Sequence, residues 1–129
     1  MQCPCQSGRL FAECCEPLIN GKPAANPEAL MRSRYSAFVL KNMDYIIATT
    51  DPQRRYDFDH GETSAWMNES TFHRLEVMNS TSEGNKGTVE FKAHYTTKNG
   101  AEEIHHEVSK FRKQAGVWYF REGRSHKHT

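Results

Sequence analysis

The spacing of apolar positions along this chain changes partway through, and the change separates a helical half from a strand half. Between Asn26 and about Leu40 the residues Leu30, Met31, Tyr35, Ala37, Phe38 and Val39 form a broad helical face that needs a sheet or another helix to cover it. Asn26, Pro27 and Glu28 supply in order an N-cap, a proline suited to the first helical position and an acid at the positive end of the helix dipole. Asn42 can cap a second short helix through Ala48, which Asp51-Pro52 stops, and a further helical turn is expected from Thr63 to Asn68.

From Phe72 onward the period is two. Leu75 and Val77 alternate with Arg74 and Glu76, and Val89, Phe91, Ala93 and Tyr95 alternate with Glu90, Lys92 and His94. Further strands are expected from Ile104 to Arg112 and from Val117 to Arg121. Asn85-Lys86-Gly87 and Lys98-Asn99-Gly100 supply hairpin turns, and Gln114-Ala115-Gly116 separates the last two strands. Helices followed by a four-stranded antiparallel meander make an α+β domain, with the helices on one face of the sheet.

All four cysteines precede this domain, as Cys3-Pro4-Cys5 and Cys14-Cys15. Two close pairs joined by a turn can supply the four thiolates of a tetrahedral zinc site, and Gly8 in Gln6-Ser7-Gly8 can take the positive φ such a turn needs. Two disulfides would suit a secreted domain, but MQCPCQSG has no apolar signal-peptide core. A redox dithiol lacks the Cys-x-x-Cys spacing. Thiols buried in a core are countered by Gln2, Gln6, Ser7, Arg9, Glu13 and Glu16, which describe exposed surface around the cysteines. Leu18 to Ala25 reads as a linker, so the expected organisation is a zinc knuckle over residues 1–20, a domain over 26–123 and a mobile tail over 124–129. His126 and His128 in that tail are weak candidates for adventitious metal binding.

A formal net charge of +1 gives no pull toward nucleic acid or anionic membrane, and no apolar run approaches the roughly 20 residues of a membrane span. The expected setting is cytoplasmic, where reduced thiols persist as metal ligands.

The spacing of Cys3, Cys5, Cys14 and Cys15, with Pro4, Ser7 and Gly8, resembles the SEC-C zinc motif Cys-x-Cys-x8-Cys-[Cys/His] of the SecA translocase tail. The string Leu30-Met31-Arg32-Ser33-Arg34-Tyr35-Ser36-Ala37-Phe38, with Phe111, Trp118 and Tyr119, is similar to the YchJ family of small bacterial proteins. The resemblance implies a domain like nuclear transport factor 2 (cystatin-like), a curved sheet wrapped around a helix to make a cone with a pocket. Cones of this fold often pair through the exposed sheet face, so the resemblance allows a homodimer. Translocase-tail motifs carry several Lys or Arg between the cysteine pairs, whereas this chain has only Arg9, so the basic surface suited to RNA or an acidic partner is thin. Many chains similar to the YchJ family carry a second cysteine motif at the C-terminus, where this sequence reads SHKHT.

Within the implied pocket Arg34, Tyr35, Trp66, His105, Glu107 and Ser109 are the expected lining, together with Phe111. Glu107 is a candidate base, and Arg34 or Tyr35 a candidate oxyanion stabiliser; a structural Arg34–Glu107 ion pair is the plainer alternative. His105 and His106 are neighbours on a strand and point to opposite faces, so they cannot share an ion. The function expected from these residues is a non-enzymatic zinc protein, its knuckle a docking tag for a protein partner and its cone a site for a small ligand or a partner. An isomerase or hydrolase using Arg34, Tyr35 and Glu107 is the enzymatic alternative. Because a closed shell of four thiolates leaves no position for substrate, the metal is expected to be structural, and chelation to melt only the first twenty or so residues.

Overall fold

The computed structural model describes residues 1–126. A 3-10 turn over Phe11–Glu13 leads into helix α1 (Cys15–Ile19), followed by α2 (Pro27–Val39), α3 (Met43–Ala48), a 3-10 helix over Pro52–Asp57 and α4 (His60–Glu69). Strands β1 (Thr71–Glu83), β2 (Lys86–Thr96), β3 (Glu102–Gln114) and β4 (Val117–His126) form one antiparallel sheet in the order β1-β2-β3-β4. Among the described residues no helix is long and apolar enough to cross a membrane.

Helix α2 begins where its signals place it. The Asn26 side chain accepts from the Ala29 amide at 2.8 Å, and Asn42 caps α3 by accepting from the Tyr45 amide at 3.1 Å. Between the two helices Lys41 takes φ 60°, which reverses the chain in one residue.

The inward set of the sheet is the one the alternation marks. Leu75, Val89, Phe91, Ala93, Phe111 and Trp118 are buried together with Leu30, Met31 and Tyr35 of the helical layer. Register shifts in β1 between Phe72 and Arg74 and between Val77 and Asn79, and in β4 between Phe120 and Glu122 opposite Phe111 and Lys110, mark bulges that bend the sheet. On the outer face His94 meets Glu76 at 2.6 Å and His106 meets Glu90 at 2.7 Å.

Several boundaries differ from the sequence reading, each for a physical reason. The first hairpin turns at Gly84-Asn85, where Gly84 has φ 59°, and not at Asn85-Lys86-Gly87. Gly87 lies inside β2 because Pro27 packs against it so closely that a Cβ would overlap the proline ring. Strand β1 runs on to Glu83 through polar residues that carry no alternation, with Thr81 and Thr88 hydroxyls bonded across the pair at 2.6 Å. Strand β4 continues to His126, so Arg124, Ser125 and His126 pair with β3 rather than forming a tail; Lys127, His128 and Thr129 lie outside the described residues. Leu18 and Ile19 end α1 instead of opening a linker, and both pack against the main core.

A buried carboxylate joins the helical layer to the sheet. Asp51 is fully buried, its backbone N–H donates to the Phe120 carbonyl at 2.7 Å, and its carboxylate accepts from the Gln53 amide at 3.0 Å. Arg112 reaches it in a two-pronged pair at 2.7 Å on each oxygen, and Arg121 donates to it at 3.0 Å. These bonds, the Arg112 pair first, hold the Asp51 carboxyl well below the usual carboxylate range.

Asp51→Asn is therefore expected to destabilise the protein by about 2–4 kcal/mol at neutral pH, because two guanidinium groups lose their anion. A depressed native pKa contributes stability that is complete above the unfolded value near pH 4 and is lost as pH falls below it. Urea unfolding at pH 7 and pH 3 should show the gap between wild type and variant narrowing at the lower pH; parallel curves would contradict the role given to Asp51.

Candidate functional site

The cysteine cluster forms where a tight loop folds back on itself. Gln6 and Gly8 adopt φ 62° and 88°, the Gln6 amide donates to the Cys3 carbonyl at 3.0 Å, and Gln2 bridges Leu10. This reversal, followed by the start of α1, brings all four sulfurs within 4.8 Å of one another. Cys5 Sγ lies 3.6 Å from Cys14 Sγ, which is 3.9 Å from Cys15 Sγ. Sulfurs at the corners of a tetrahedron with metal–sulfur bonds of about 2.3 Å stand about 3.8 Å apart, so the set has the size of a four-thiolate metal site. A disulfide needs about 2.05 Å, and all four cysteines are free.

Ionisation within the cluster is uneven. A hydrogen bond with Cys15 is the main cause of a Cys5 pKa pulled down to about 4. Cys15 is pushed far up by its bond to Cys5 and by burial, and Cys14 is raised, mainly by burial. Four thiols this close cannot all become thiolates by themselves; a divalent cation at their centre would supply the missing charge.

The thiols do not lie on exposed surface as the surrounding polar residues suggest. Cys3, Cys5 and Cys15 are buried, in the same core as Leu30, Met31 and Tyr35. The polar neighbours point outward while the sulfurs point onto α2, where Ser36 Oγ lies 3.5 Å from Cys3 Sγ. Arg32 of α2 donates to the Cys5 carbonyl at 2.9 Å and to Glu28 at 2.9 Å, which ties the loop to the helix.

The opposite side of α2 lines a cavity of about 360 Å³ between the helical layer and the inner face of the sheet. All six expected residues, Arg34, Tyr35, Trp66, His105, Glu107 and Ser109, border it, as does Phe111. The rest mixes apolar residues, among them Phe38, Phe58, Phe72, Phe91 and Phe120, with the charged Arg54, Asp57, Asp59, Arg121 and Glu122. Trp66 of α4 makes edge contacts with Phe38, Phe72, Tyr95 and His105 at centroid distances of 5.0–5.8 Å. Tyr35 sets its ring edge-on to Phe72 at 5.9 Å, and burial followed by the Cys5 charge pushes its phenol up to about 12. Tyr35 thus borders both sites.

Arg34 and Glu107 face the same cavity without forming the expected ion pair. Arg34 Nη1 donates to the Ile46 carbonyl at 3.0 Å and to Thr49 Oγ1 at 2.7 Å, and its guanidinium lies 4.3 Å over the Phe120 ring. Burial pulls its pKa down to about 10, and the Glu107 charge opposes that shift. Glu107 instead engages His105 Nε2 at 2.8 Å through Oε1 and accepts from the Ser109 hydroxyl through Oε2. Burial pushes the Glu107 carboxyl up, yet these partners and the more distant Arg34 outweigh it, leaving the group below the usual carboxylate range. It is an anion held in place, and a weak proton acceptor.

Two features escaped the sequence reading. Gly123, opposite Ser109 on β4, leaves the space that the Glu107 carboxylate fills, since a Cβ there would overlap it. Its signal was a glycine inside a strand. Phe120, which supports Arg34, sits beside Phe111 across the β3–β4 pair with centroids 5.9 Å apart. Nothing in the alternation linked it to a helix residue so far away in the chain.

Two family models match the chain: the middle NTF2-like domain of YchJ over residues 26–123, and the SEC-C motif over residues 2–17. A UPF0225 protein of Geobacter sulfurreducens is 43% identical over 125 residues, covering 94% of this chain and 77% of that protein. A UPF0225 protein of Actinobacillus succinogenes is 40% identical over 121 residues, covering 92% and 78%. The solution structure of a SEC-C motif containing protein from Rhodopseudomonas palustris matches with a TM-score of 0.90 at 52% identity, over 98% of this chain and 100% of that one. The crystal structure of a SEC-C motif containing protein from Psychrobacter arcticus matches with a TM-score of 0.82 at 33% identity, over 98% and 84%. A Thiobacillus denitrificans protein described as a calcium/calmodulin-dependent protein kinase type II association domain has a TM-score of 0.66 at 11% identity, over 84% and 99%, a likeness of fold alone.

Gly123→Ala is expected to displace the Glu107 carboxylate, costing about 1–3 kcal/mol through overpacking and breaking its bond to His105. The His105 imidazole nitrogen shifts by NMR, with thermal melts, check this; unchanged nitrogen shifts would contradict the placement of Glu107 over Gly123.

Proposed function

The chain belongs to the YchJ family, whose members also carry the name UPF0225, and from that premise we propose that it is a small-molecule-binding protein in which structural zinc holds the helix that walls its cavity. The observation that carries the reading is the position of α2 between the two sites, with Arg32 and Ser36 on the thiol loop and Arg34, Tyr35 and Phe38 on the cavity. Four thiolates in a closed tetrahedral set are the usual ligands of structural zinc. Such a site offers no open position for a reacting molecule, so any chemistry belongs to the cavity. The cavity lies toward the small end of the range for ligand pockets, roughly 300–1,000 Å³, and aromatic rings make up much of its apolar wall. The setting that suits such a site is reducing, in keeping with the cytoplasm. Because the thiols turn inward, the knuckle acts first as a clasp on α2; a protein partner would meet its exposed rim at Gln2, Arg9 and Leu10.

A second reading, proton transfer on the bound molecule, has one observation in its favour. His105 Nε2 is engaged by Glu107, which would fix the tautomer and leave Nδ1 as the proton acceptor. The base is then His105, with Glu107 as its positioning residue. Deuterium uptake at the α-carbon of a cavity-bound ketone by wild type but not by His105→Gln would support this reading, and uptake equal to the buffer blank would remove it.

The zinc reading is tested by elemental analysis of protein purified under reducing conditions without chelator, followed by thermal melts. One zinc per chain is expected. Since the thiols share a core with α2, chelation should destabilise the domain by several kcal/mol and lower its melting temperature by well over roughly 5 °C, rather than melting the first twenty residues alone. Metal-free protein with the same melting temperature would overturn it.

A further inference from the structure

We infer that the cavity takes a compact organic carboxylate whose acid group docks on the free edge of the Arg34 guanidinium, an inference that rests on the reading of the cavity as a small-molecule site. Both hydrogen bonds of Arg34 to the protein leave from Nη1, toward Ile46 and Thr49. Nε and Nη2 make none among the described residues, and no described carboxylate pairs with the group. Those two nitrogens form the edge whose parallel N–H bonds match the two oxygens of a carboxylate. The Phe120 ring under the guanidinium fixes the plane of that edge, as the tie to the end of α3 fixes its direction.

Four carboxylates line the cavity, at Asp57, Asp59, Glu107 and Glu122, and none of them pairs with this edge. Glu107 has one oxygen on His105 and the other on Ser109, and it rests in the space that Gly123 leaves. A half-buried guanidinium that faces no carboxylate at contact distance keeps an open edge, and a planar acid group from outside can occupy it. Around it, Tyr35, Phe38, Trp66, Phe72 and Phe91 offer rings to an apolar or aromatic body. A volume of about 360 Å³ suits a single-ring acid and is too small for a nucleotide. Phosphate and sulfate lack the apolar body that would use these walls.

The test titrates the zinc-loaded full chain with phenylacetate and with its neutral counterpart phenylacetamide, by calorimetry and by the Trp66 indole N–H signal. Phenylacetate is expected to bind at least about tenfold tighter than the amide, the gain of a charge-assisted two-pronged pair. Arg34→Lys, which keeps the charge and loses the fork, should reduce that preference to within about threefold. Glu107→Gln retains the fork, removes the nearby negative charge and should tighten phenylacetate relative to the amide, which keeps the test open if the Arg34 variant folds poorly. Equal binding of acid and amide, or an undiminished preference in Arg34→Lys, would overturn the inference while leaving the cavity a binding site. Binding of neither compound would overturn both.

Discussion

The structure depends on a helix that has no free face. Helix α2 is covered by the thiol loop, by α3 and by the sheet, and between Met31 and Ala37 only Arg32 and Arg34 are more than marginally exposed. Burying a polar group without a partner costs on the order of 1–3 kcal/mol, so each polar residue of the segment needs one built for it. Ser33 donates to the Leu30 carbonyl at 2.7 Å and meets the Tyr45 hydroxyl at 2.7 Å, Ser36 meets Cys3, and Arg32 is spent on Cys5 and Glu28. Only Arg34 is left with donors directed into a cavity.

That distribution explains why a thiol loop and a cavity occur in one small domain. The loop adds apolar sulfur and a clasp on one side of α2, which frees the other side from having to be filled by packing. The wall opposite is held by the Asp51 cluster, which fastens the chain after α3 to β3 and β4 and keeps Phe120 beneath Arg34. Glu107 rests over Gly123 of β4, and its carboxylate is held by His105 and Ser109 instead of by the arginine across the cavity.

Much of the fold was legible because its signals are local. The caps at Asn26 and Asn42 and the inward alternation of Val89, Phe91 and Ala93 each depend on residues a few positions apart, and each element stands where those residues place it. Polar strand ends were not legible: Asn79 to Glu83 and Arg124 to His126 pair through backbone bonds that leave no hydrophobic pattern. The six cavity residues follow from the helix and strand faces together with the family resemblance, yet the partnership between them does not. Distance along the chain hides that Glu107 is already engaged, and that Asp51, read as a helix stop, anchors two arginines sixty or more residues away. The cysteines showed the opposite failure. Their polar neighbours describe one face of a loop, and the sulfurs occupy the other.

The claim that one helix carries both sites is tested most directly by amide hydrogen exchange on the zinc-loaded chain, before and after chelation. Loss of the metal should raise exchange through α2, including Arg34 and Tyr35 on the cavity side, while the amides at the centre of β2 and β3 remain protected. Faster exchange confined to residues before Asn20, with α2 unchanged, would show that the thiol loop is an independent appendage and would contradict the account.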